Sequence, residues 1–126
     1  MTKQHLGEPL ELPLSLGWRA GDLVFTSGQV PQDAGGRFLG GTIEEQTRAT
    51  LGRIEMILGL ADCTLADVVK TTVWLADARD FARFNRTYAE FFPNDPPARS
   101  TVEARLMVDC KIEIEAVAYK PLPRAG

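Results

Sequence analysis

Histidine and cysteine are scarce in this sequence of 126 residues, which has one histidine, His5, and two cysteines, Cys63 and Cys110. So few cysteines exclude a disulfide framework, and together these residues are too few for the usual ligand set of a zinc site. A site made only of carboxylates stays open, although neither a DxDxDG loop nor an HExxH helix is present. A nucleophile activated by histidine is poorly supported, because we expect the N-terminal segment around His5 to be mobile.

Long apolar runs and an excess of positive charge are also missing. The chain has no stretch of eighteen uncharged apolar residues, and its first residues, MTKQHLGEPLELPL, lack the apolar run of a signal peptide. Fourteen Lys and Arg residues against seventeen Asp and Glu residues give a net charge of -3, which argues against binding a polyanion through bulk charge. We therefore expect a cytoplasmic protein that binds neither membranes nor nucleic acid.

The composition that remains is that of an ordinary globular protein. Hydrophobic residues make up 44% of the chain and charged residues 25%, which excludes intrinsic disorder and fibrous repeats. A chain of this length has room for one core. We expect a single domain over residues 1–126.

The N-terminal third is rich in turn residues. Two apolar stretches, residues 10–16 and 22–28, flank Gly17 and the turn sequence Ala20-Gly21-Asp22, which predicts a β-hairpin. Two glycine pairs then bracket residues 37–39, for which we predict a short third strand.

Two amphipathic helices follow. Thr42 and Glu45 form a capping-box pattern before a stripe of apolar residues with three- and four-residue spacing, which predicts a helix from residue 43. Asp77 or Asp80 is expected to cap the second helix, which carries an aromatic stripe: Phe81, Phe84, Tyr88, Phe91 and Phe92. We expect this stripe in the core, with Phe84 and Tyr88 as the members that could also line a pocket.

Three strands complete the pattern, over residues 68–75, 98–103 and 111–119, before a loose tail at 121–126. In the last strand Ile112, Ile114, Ala116 and Ala118 share one face, and Glu113, Glu115, Val117 and Tyr119 share the other. The order β-β-β-α-β-α-β-β predicts an α+β two-layer sandwich, a mixed β-sheet with two helices on one face. We expect the uncovered face to meet another subunit and to contribute to a site.

Arg99 and Glu113 are the strongest candidates for chemistry on physical grounds. Arg99 follows Pro97 at the entry to a strand, where a rigid guanidinium could bind a small carboxylate. Partial burial of Glu113 would raise its pKa toward a range useful for proton transfer. A simple salt bridge, or two solvated charges, is the alternative interpretation of this pair.

Five strings carry a resemblance to a known family: TSGQVP at 26–31, VKTTV at 69–73, DFARFNRTYAEFF at 80–92, PARSTVE at 97–103 and KIEIEA at 111–116. In this order and spacing they resemble the RidA/YjgF family, also called the endoribonuclease L-PSP family, over residues 13–119. The resemblance implies a chorismate-mutase-like fold and a homotrimer with active sites between subunits. It also implies hydrolysis of enamines and imines, such as 2-aminoacrylate or 2-iminobutanoate, to a keto acid and ammonia, with no cofactor and no metal.

The resemblance also implies roles for individual residues. Arg99 matches the arginine that holds the substrate carboxylate, and Glu113 matches the glutamate that orients or protonates around the attacking water. Asn85 and Tyr88 match a helix motif near the pocket, and Gly28 belongs to a loop that approaches the same cleft.

Two positions depart from the family pattern. Thr101 stands where a typical member has a cysteine, and Leu14 stands where it has a tyrosine. A threonine hydroxyl can still hydrogen-bond a water molecule or the substrate. Leu14, with Phe84 and Trp18, would make the pocket more apolar, which favours a larger or more hydrophobic imine, or a pathway intermediate, over 2-aminoacrylate.

Other functions stay open. A non-catalytic ligand-binding or holdase-like trimer would use the same cleft or surface. Ribonuclease activity, which one family name suggests, is disfavoured by the acidic net charge and by the lack of a basic stripe with stacking aromatics.

Overall fold

The computed structural model describes residues 2–123. Within them the chain forms six strands and two helices in the predicted order. The strands are β1 (Gln4–Leu6), β2 (Gly17–Ala20), β3 (Leu23–Thr26), β4 (Val68–Leu75), β5 (Ala98–Glu103) and β6 (Ile112–Tyr119), and the helices are α1 (Ile43–Gly59) and α2 (Phe81–Phe91). In this part of the chain no helix combines the length and the apolar character needed to cross a membrane.

The strands form one mixed sheet in the order β1-β2-β3-β6-β4-β5. β4 and β5 are parallel, as a strand–helix–strand unit requires, and the other neighbours are antiparallel. The core lies between this sheet and the two helices and includes fully buried residues of α1, β4 and β6: Leu51, Ile54, Ile57, Leu58, Val73, Leu75, Ile112 and Ile114. The predicted α+β sandwich is confirmed.

Helix α1 begins at the predicted capping box. The Thr42 hydroxyl accepts a hydrogen bond from the Glu45 backbone N–H at 3.1 Å, and the Glu45 carboxylate accepts one from the Thr42 N–H at 3.0 Å. These bonds satisfy two backbone groups that the first turn of a helix leaves without partners. The apolar stripe of α1 faces the sheet.

The N-terminal strands differ from the prediction. Residues 10–16 are irregular and form no strand, and the hairpin consists of β2 and β3, joined at Gly21, whose φ is +63°. The segment around His5 was expected to be mobile, but it forms strand β1, with His5 opposite Trp18. Pro9 and Pro13 lack backbone donors, which explains why the apolar stretch beside them adds no strand to the sheet.

The prediction of a third strand at residues 37–39 is also wrong. Phe38 forms only an isolated bridge with Gln32. The Asp33 carboxylate accepts hydrogen bonds from the N–H groups of Gly35 and Arg37, both at 2.9 Å, and closes a local turn. The glycine pairs therefore belong to a looped segment.

Helix α2 is preceded by a 3₁₀ turn, Ala78–Asp80. Asp77 caps that turn through the Arg79 N–H at 2.9 Å, whereas the Asp80 side chain makes no capping bond. Of the aromatic stripe, Phe84, Tyr88 and Phe92 are buried, Phe91 is half-buried, and Phe81 is 44% exposed. The core prediction therefore fails for Phe81.

The two faces of β6 are as predicted. Ile112, Ile114, Ala116 and Ala118 are buried against the helix layer, and the other face carries Glu113, Glu115, Val117 and Tyr119. We call the sheet surface opposite the helices the open face. It exposes apolar side chains of β3, β5 and β6: Leu23, Phe25, Val102 and Tyr119.

The C-terminal segment is anchored where it is described. The Leu122 N–H donates to the Asp22 carboxylate at 3.0 Å, and the Lys120 N–H donates to the Asp22 carbonyl at 2.8 Å. Of the tail expected to be loose, residues 124–126 lie outside the described residues.

Candidate functional site

Arg99 lies on β5, the edge strand, and points to the helix side of the sheet. Its register partner on β4 is Thr71, which is buried beneath the helices. The guanidinium carbon lies 4.9 Å from the ring centre of Tyr88, 5.1 Å from that of Phe84 and 5.7 Å from that of Phe81. These aromatic rings hold the cation by cation–π attraction without neutralising its charge.

Asn85 fixes the orientation of this guanidinium. Its side-chain oxygen accepts a hydrogen bond from Arg99 Nη2 at 2.8 Å. Among residues 2–123 no carboxylate forms an ion pair with Arg99. Its other donors are therefore available to an external anion.

Tyr88 is held from the sheet side. Its hydroxyl lies 2.7 Å from the Thr71 hydroxyl, and either group could donate. Burial raises the pKa of Tyr88, so the phenol stays neutral at ordinary pH. Thr71 was not singled out from the sequence, because only the register of β4 distinguishes it from its exposed neighbours.

A cleft of about 380 Å³ lies beside Arg99. Its lining comprises Asn85, Tyr88, Ala89, Phe92, Pro96, Pro97 and Arg99. We call it the arginine cleft. One cation, one amide and apolar walls suit a small molecule with a carboxylate.

Glu113 lies on the open face, next to Gly28. A side-chain carbon built on Gly28 would lie 2.1 Å from Glu113 Oε2, so any larger residue would displace the Glu113 carboxyl group from this position. The loop is held against β6 by paired backbone bonds between Gln29 and Ile114, at 2.7 and 3.0 Å. Burial, followed by repulsion from Glu115, raises the pKa of Glu113, as the sequence analysis expected.

Leu14 belongs to the same region as Gly28. The Ser27 N–H donates to the Leu16 carbonyl at 2.8 Å, and the Ser27 hydroxyl donates to the Ser15 carbonyl. These bonds bring residues 15 and 16 beside the loop that contains Gly28. The Leu14 side chain is 49% exposed.

The predicted site residues therefore form two groups on opposite faces of the sheet. We define the arginine half as Phe84, Asn85, Tyr88, Arg99 and Thr101, and the glutamate half as Leu14, Gly28 and Glu113. Arg99 is in register with Thr71 and Ala116 on the helix face, whereas Glu113 points the other way. Within residues 2–123 of one chain, no ion pair joins Arg99 and Glu113.

Thr101 and Trp18 have different surroundings. Thr101 follows Arg99 by two residues on the same face of β5 and is half-buried. Trp18 lies on the open face, where its ring packs at 5.1 Å against His5 and lies 4.0 Å from the Lys3 ammonium. Within the chain, Trp18 is thus no wall of the arginine cleft.

The described residues contain no group of three His, Cys, Asp or Glu side chains arranged to hold a metal ion. Cys63 is buried and Cys110 is half-buried, and burial raises the pKa of both thiols. Neither is an activated nucleophile.

The fold and the arginine cleft define a class: a two-layer α+β protein whose edge strand carries an arginine with no carboxylate partner among residues 2–123. Residues 9–120 match the family model described as Endoribonuclease L-PSP. The chain is 47% identical over 110 residues to a RutC family protein of Pyrococcus horikoshii, covering 86% of this chain and 87% of that protein. It is 42% identical over 112 residues to the 2-iminobutanoate/2-iminopropanoate deaminase of Salmonella typhimurium, covering 86% and 88%.

Solved structures agree with this relationship. The YjgF gene product of Escherichia coli superposes with a TM-score of 0.82 at 39% identity, covering 87% of this chain and 90% of that one. E. coli TdcF with bound serine superposes with a TM-score of 0.86 at 32% identity, covering 93% and 99%. The chain belongs to the endoribonuclease L-PSP family, the RidA/YjgF family that its motifs resemble.

Proposed function

We propose that this protein hydrolyses reactive enamines and imines that carry a carboxylate, releasing the keto acid and ammonia without a cofactor. The observation that carries the proposal is Arg99, an arginine with fixed orientation and no carboxylate partner in the described chain, beside a cleft of small-molecule size. Relatives named 2-iminobutanoate/2-iminopropanoate deaminase or reactive intermediate deaminase, at 40–42% identity, support the reaction class.

Arg99 would bind the substrate carboxylate. Its side chain is held by Asn85 and by the rings of Phe84 and Tyr88 before any ligand arrives. A prearranged guanidinium loses little conformational freedom on binding and presents parallel donors to both carboxylate oxygens. The reacting carbon, which is bonded to that carboxylate, is then placed beside the cleft.

The chemistry needs few groups. An enamine first gains a proton on carbon and loses one from nitrogen, which gives the imine. Water then adds to the imine carbon, with one proton moving to nitrogen. The resulting carbinolamine breaks its C–N bond and expels ammonia, while its hydroxyl loses a proton and becomes the keto group. Because such imines also hydrolyse in free solution, positioning the reactants is a large part of the required acceleration.

Glu113 would handle the proton of the attacking water. Its partly buried carboxyl has a raised pKa, which makes the carboxylate a stronger base than an exposed glutamate. Gly28 leaves the carboxyl group room that any larger residue would occupy. The hydroxyl of Thr101, in the arginine half, is a further hydrogen-bonding group for water or substrate.

We propose further that the arginine half of one subunit meets the glutamate half of the next in a homotrimer. The two halves lie on opposite faces of the sheet, so one chain alone does not bring them together. A cyclic, head-to-tail arrangement pairs two different surfaces and repeats that pairing in every interface. The exposed apolar side chains of the open face, including Phe25 and Tyr119, suit burial between subunits.

The test is accelerated loss of 2-imino acids generated in place by an amino-acid oxidase. Semicarbazide traps the imine that survives, so an active enzyme lowers the semicarbazone signal. We expect Arg99→Ala to lower kcat/KM about a hundredfold, because charged hydrogen bonds to the carboxylate are lost. Arg86→Ala, which changes an exposed arginine of α2, is the matched control and should retain activity. Unchanged imine loss with the wild-type protein would end the proposal.

Binding without turnover is the second candidate. The E. coli TdcF structure holds serine, an amino acid with a carboxylate and no imine. A protein of this kind would bind keto or amino acids by calorimetry in an Arg99-dependent manner and leave imine loss unchanged. A holdase would instead suppress the aggregation of a client protein, and the Arg99→Ala variant would keep this activity.

A further inference from the structure

A second cleft, of about 220 Å³, lies where β5 passes the turn that leads into α2. Its lining comprises Leu75, Ala78, Phe81, Thr101, Val102 and Glu103. We call it the side-chain cleft. Along β5 it follows Arg99, whereas the arginine cleft lies against Pro96 and Pro97, which precede Arg99.

Phe81 and Thr101 link this cleft to Arg99. The Phe81 ring lies 5.7 Å from the Arg99 guanidinium carbon and also forms a wall of the side-chain cleft. Thr101 follows Arg99 by two residues on the same face, roughly 7 Å along the strand. A molecule whose carboxylate is bound by Arg99 therefore reaches this cleft with a side chain of only a few carbons.

The two clefts differ in chemistry. Leu75, Ala78 and Phe81 give the side-chain cleft mostly hydrocarbon walls, to which Thr101 adds a methyl group. The arginine cleft contains the amide of Asn85 and the guanidinium itself. An apolar group is therefore bound more favourably in the side-chain cleft, and the polar end of the same molecule is bound more favourably near Arg99.

Glu103 places a carboxylate at the end of the side-chain cleft that is farther from Arg99. One of its carboxylate oxygens accepts a hydrogen bond from the Ala78 N–H at 2.8 Å, which holds the group beside the turn. Its negative charge repels a second carboxylate entering the cleft. The cleft therefore disfavours acidic side chains.

We propose that the side-chain cleft binds the substituent on the imine carbon and selects 2-imino acids with branched or aromatic apolar side chains. This specificity rests on the proposed function, because it takes Arg99 as the carboxylate anchor. Each buried methylene group increases the binding constant about fourfold. We expect the leucine-derived imine to exceed the alanine-derived imine in kcat/KM by at least about tenfold.

Ala78→Leu tests the cleft by filling it. We expect this variant to lower the ratio of kcat/KM for the leucine imine over the alanine imine by about tenfold. Ala82→Leu, at an exposed position of α2 outside the cleft lining, is the matched control and should keep the ratio of the wild-type protein. Glu103→Gln is a second variant, which should improve binding of 2-oxoglutarate by removing the repulsive charge.

Two readouts separate this proposal from the one on which it rests. Calorimetry with 4-methyl-2-oxopentanoate and with pyruvate measures the preference without turnover. If no imine is hydrolysed faster but the larger keto acid binds more tightly and Ala78→Leu removes that advantage, the cleft stands and the deaminase proposal fails. A different outcome overturns the cleft proposal and leaves the deaminase proposal standing. In it, imines are hydrolysed through Arg99, but Ala78→Leu changes neither the kcat/KM ratio of the leucine imine over the alanine imine nor the affinity ratio of 4-methyl-2-oxopentanoate over pyruvate.

Discussion

At the residue scale, identical side chains have very different roles according to their surroundings. Arg79 and Arg83 lie in exposed ion pairs with Asp77 and Glu44, which contribute little to stability. Arg99 has an amide and aromatic rings around it and keeps its full charge for a ligand. Unlike the other two, it has no carboxylate partner in the part of the chain that the structure describes.

Titration of Glu113 should make the stability and the activity of the protein depend on pH in opposite directions. Its pKa is raised in the folded chain by burial and by Glu115, so the folded state holds the proton at pH values where the unfolded chain has lost it. Stability from this group is present below the unfolded pKa and is lost as pH rises through the folded pKa. Activity that needs the carboxylate rises over the same interval.

The measurement compares wild type and Glu113→Gln by urea unfolding and by kcat/KM across that interval. The wild-type free energy of unfolding should fall relative to the variant as pH rises, and only the wild type should show the acid-side loss of activity. Glu115→Gln should move both transitions to lower pH. Parallel profiles for wild type and Glu113→Gln would contradict the assignment.

At the scale of elements, the Thr71–Tyr88 hydrogen bond connects β4 to α2 beneath Arg99. Thr71→Val leaves a buried phenol without its partner, and Tyr88→Phe leaves a buried hydroxyl without its partner. We expect each single change to lower the free energy of unfolding by about 1–3 kcal/mol. The double variant should lose less than the sum, because both polar groups are gone.

A double-mutant cycle from denaturant unfolding measures this coupling. Thr72→Val, on the next residue of β4 and facing away from α2, is the control, and it should show no coupling with Tyr88→Phe. Additive losses for Thr71→Val and Tyr88→Phe would show that the two hydroxyl groups do not stabilise each other.

Elements with a strong local pattern were predicted well, and short ones were not. Helix α1 and strand β6 each combine regular apolar periodicity with a one-sided core, so the pattern suffices. Strand β1 has three residues and forms only because β2 presents a free edge to it. The apolar residues at 10–16 looked more like a strand, but two prolines next to or within that segment restrict ladder bonds.

At the scale of the whole molecule, the separation of Arg99 from Glu113 leads to a mixing experiment. Arg99→Ala and Glu113→Gln should each retain only a small fraction of wild-type activity as pure proteins. If every site combines Arg99 of one subunit with Glu113 of its neighbour, random mixing of the two variants restores both groups in about a quarter of the sites. Coexpression at equal levels, followed by the imine assay, should therefore recover about a quarter of wild-type activity.

Native mass spectrometry of the same sample should show trimers that contain both variants. Activity that stays at the level of the pure variants in such mixed trimers would contradict a site shared between subunits.

The cytoplasmic location and the lack of nucleic-acid binding stay predictions, since they rest on composition.

The sequence by itself determined the family, the two helices, the faces of β6 and the candidates Arg99 and Glu113, because each depends on residue type and local spacing. Only the tertiary structure decided that these two side chains lie on opposite faces. Sheet order and register determine such placement, and both arise from pairings between residues distant in sequence. The same pairings placed Thr71 beneath Tyr88 and formed the side-chain cleft from residues 75 to 103. Scarce histidine and cysteine restricted the chemistry, and the fold arranged the groups that remained.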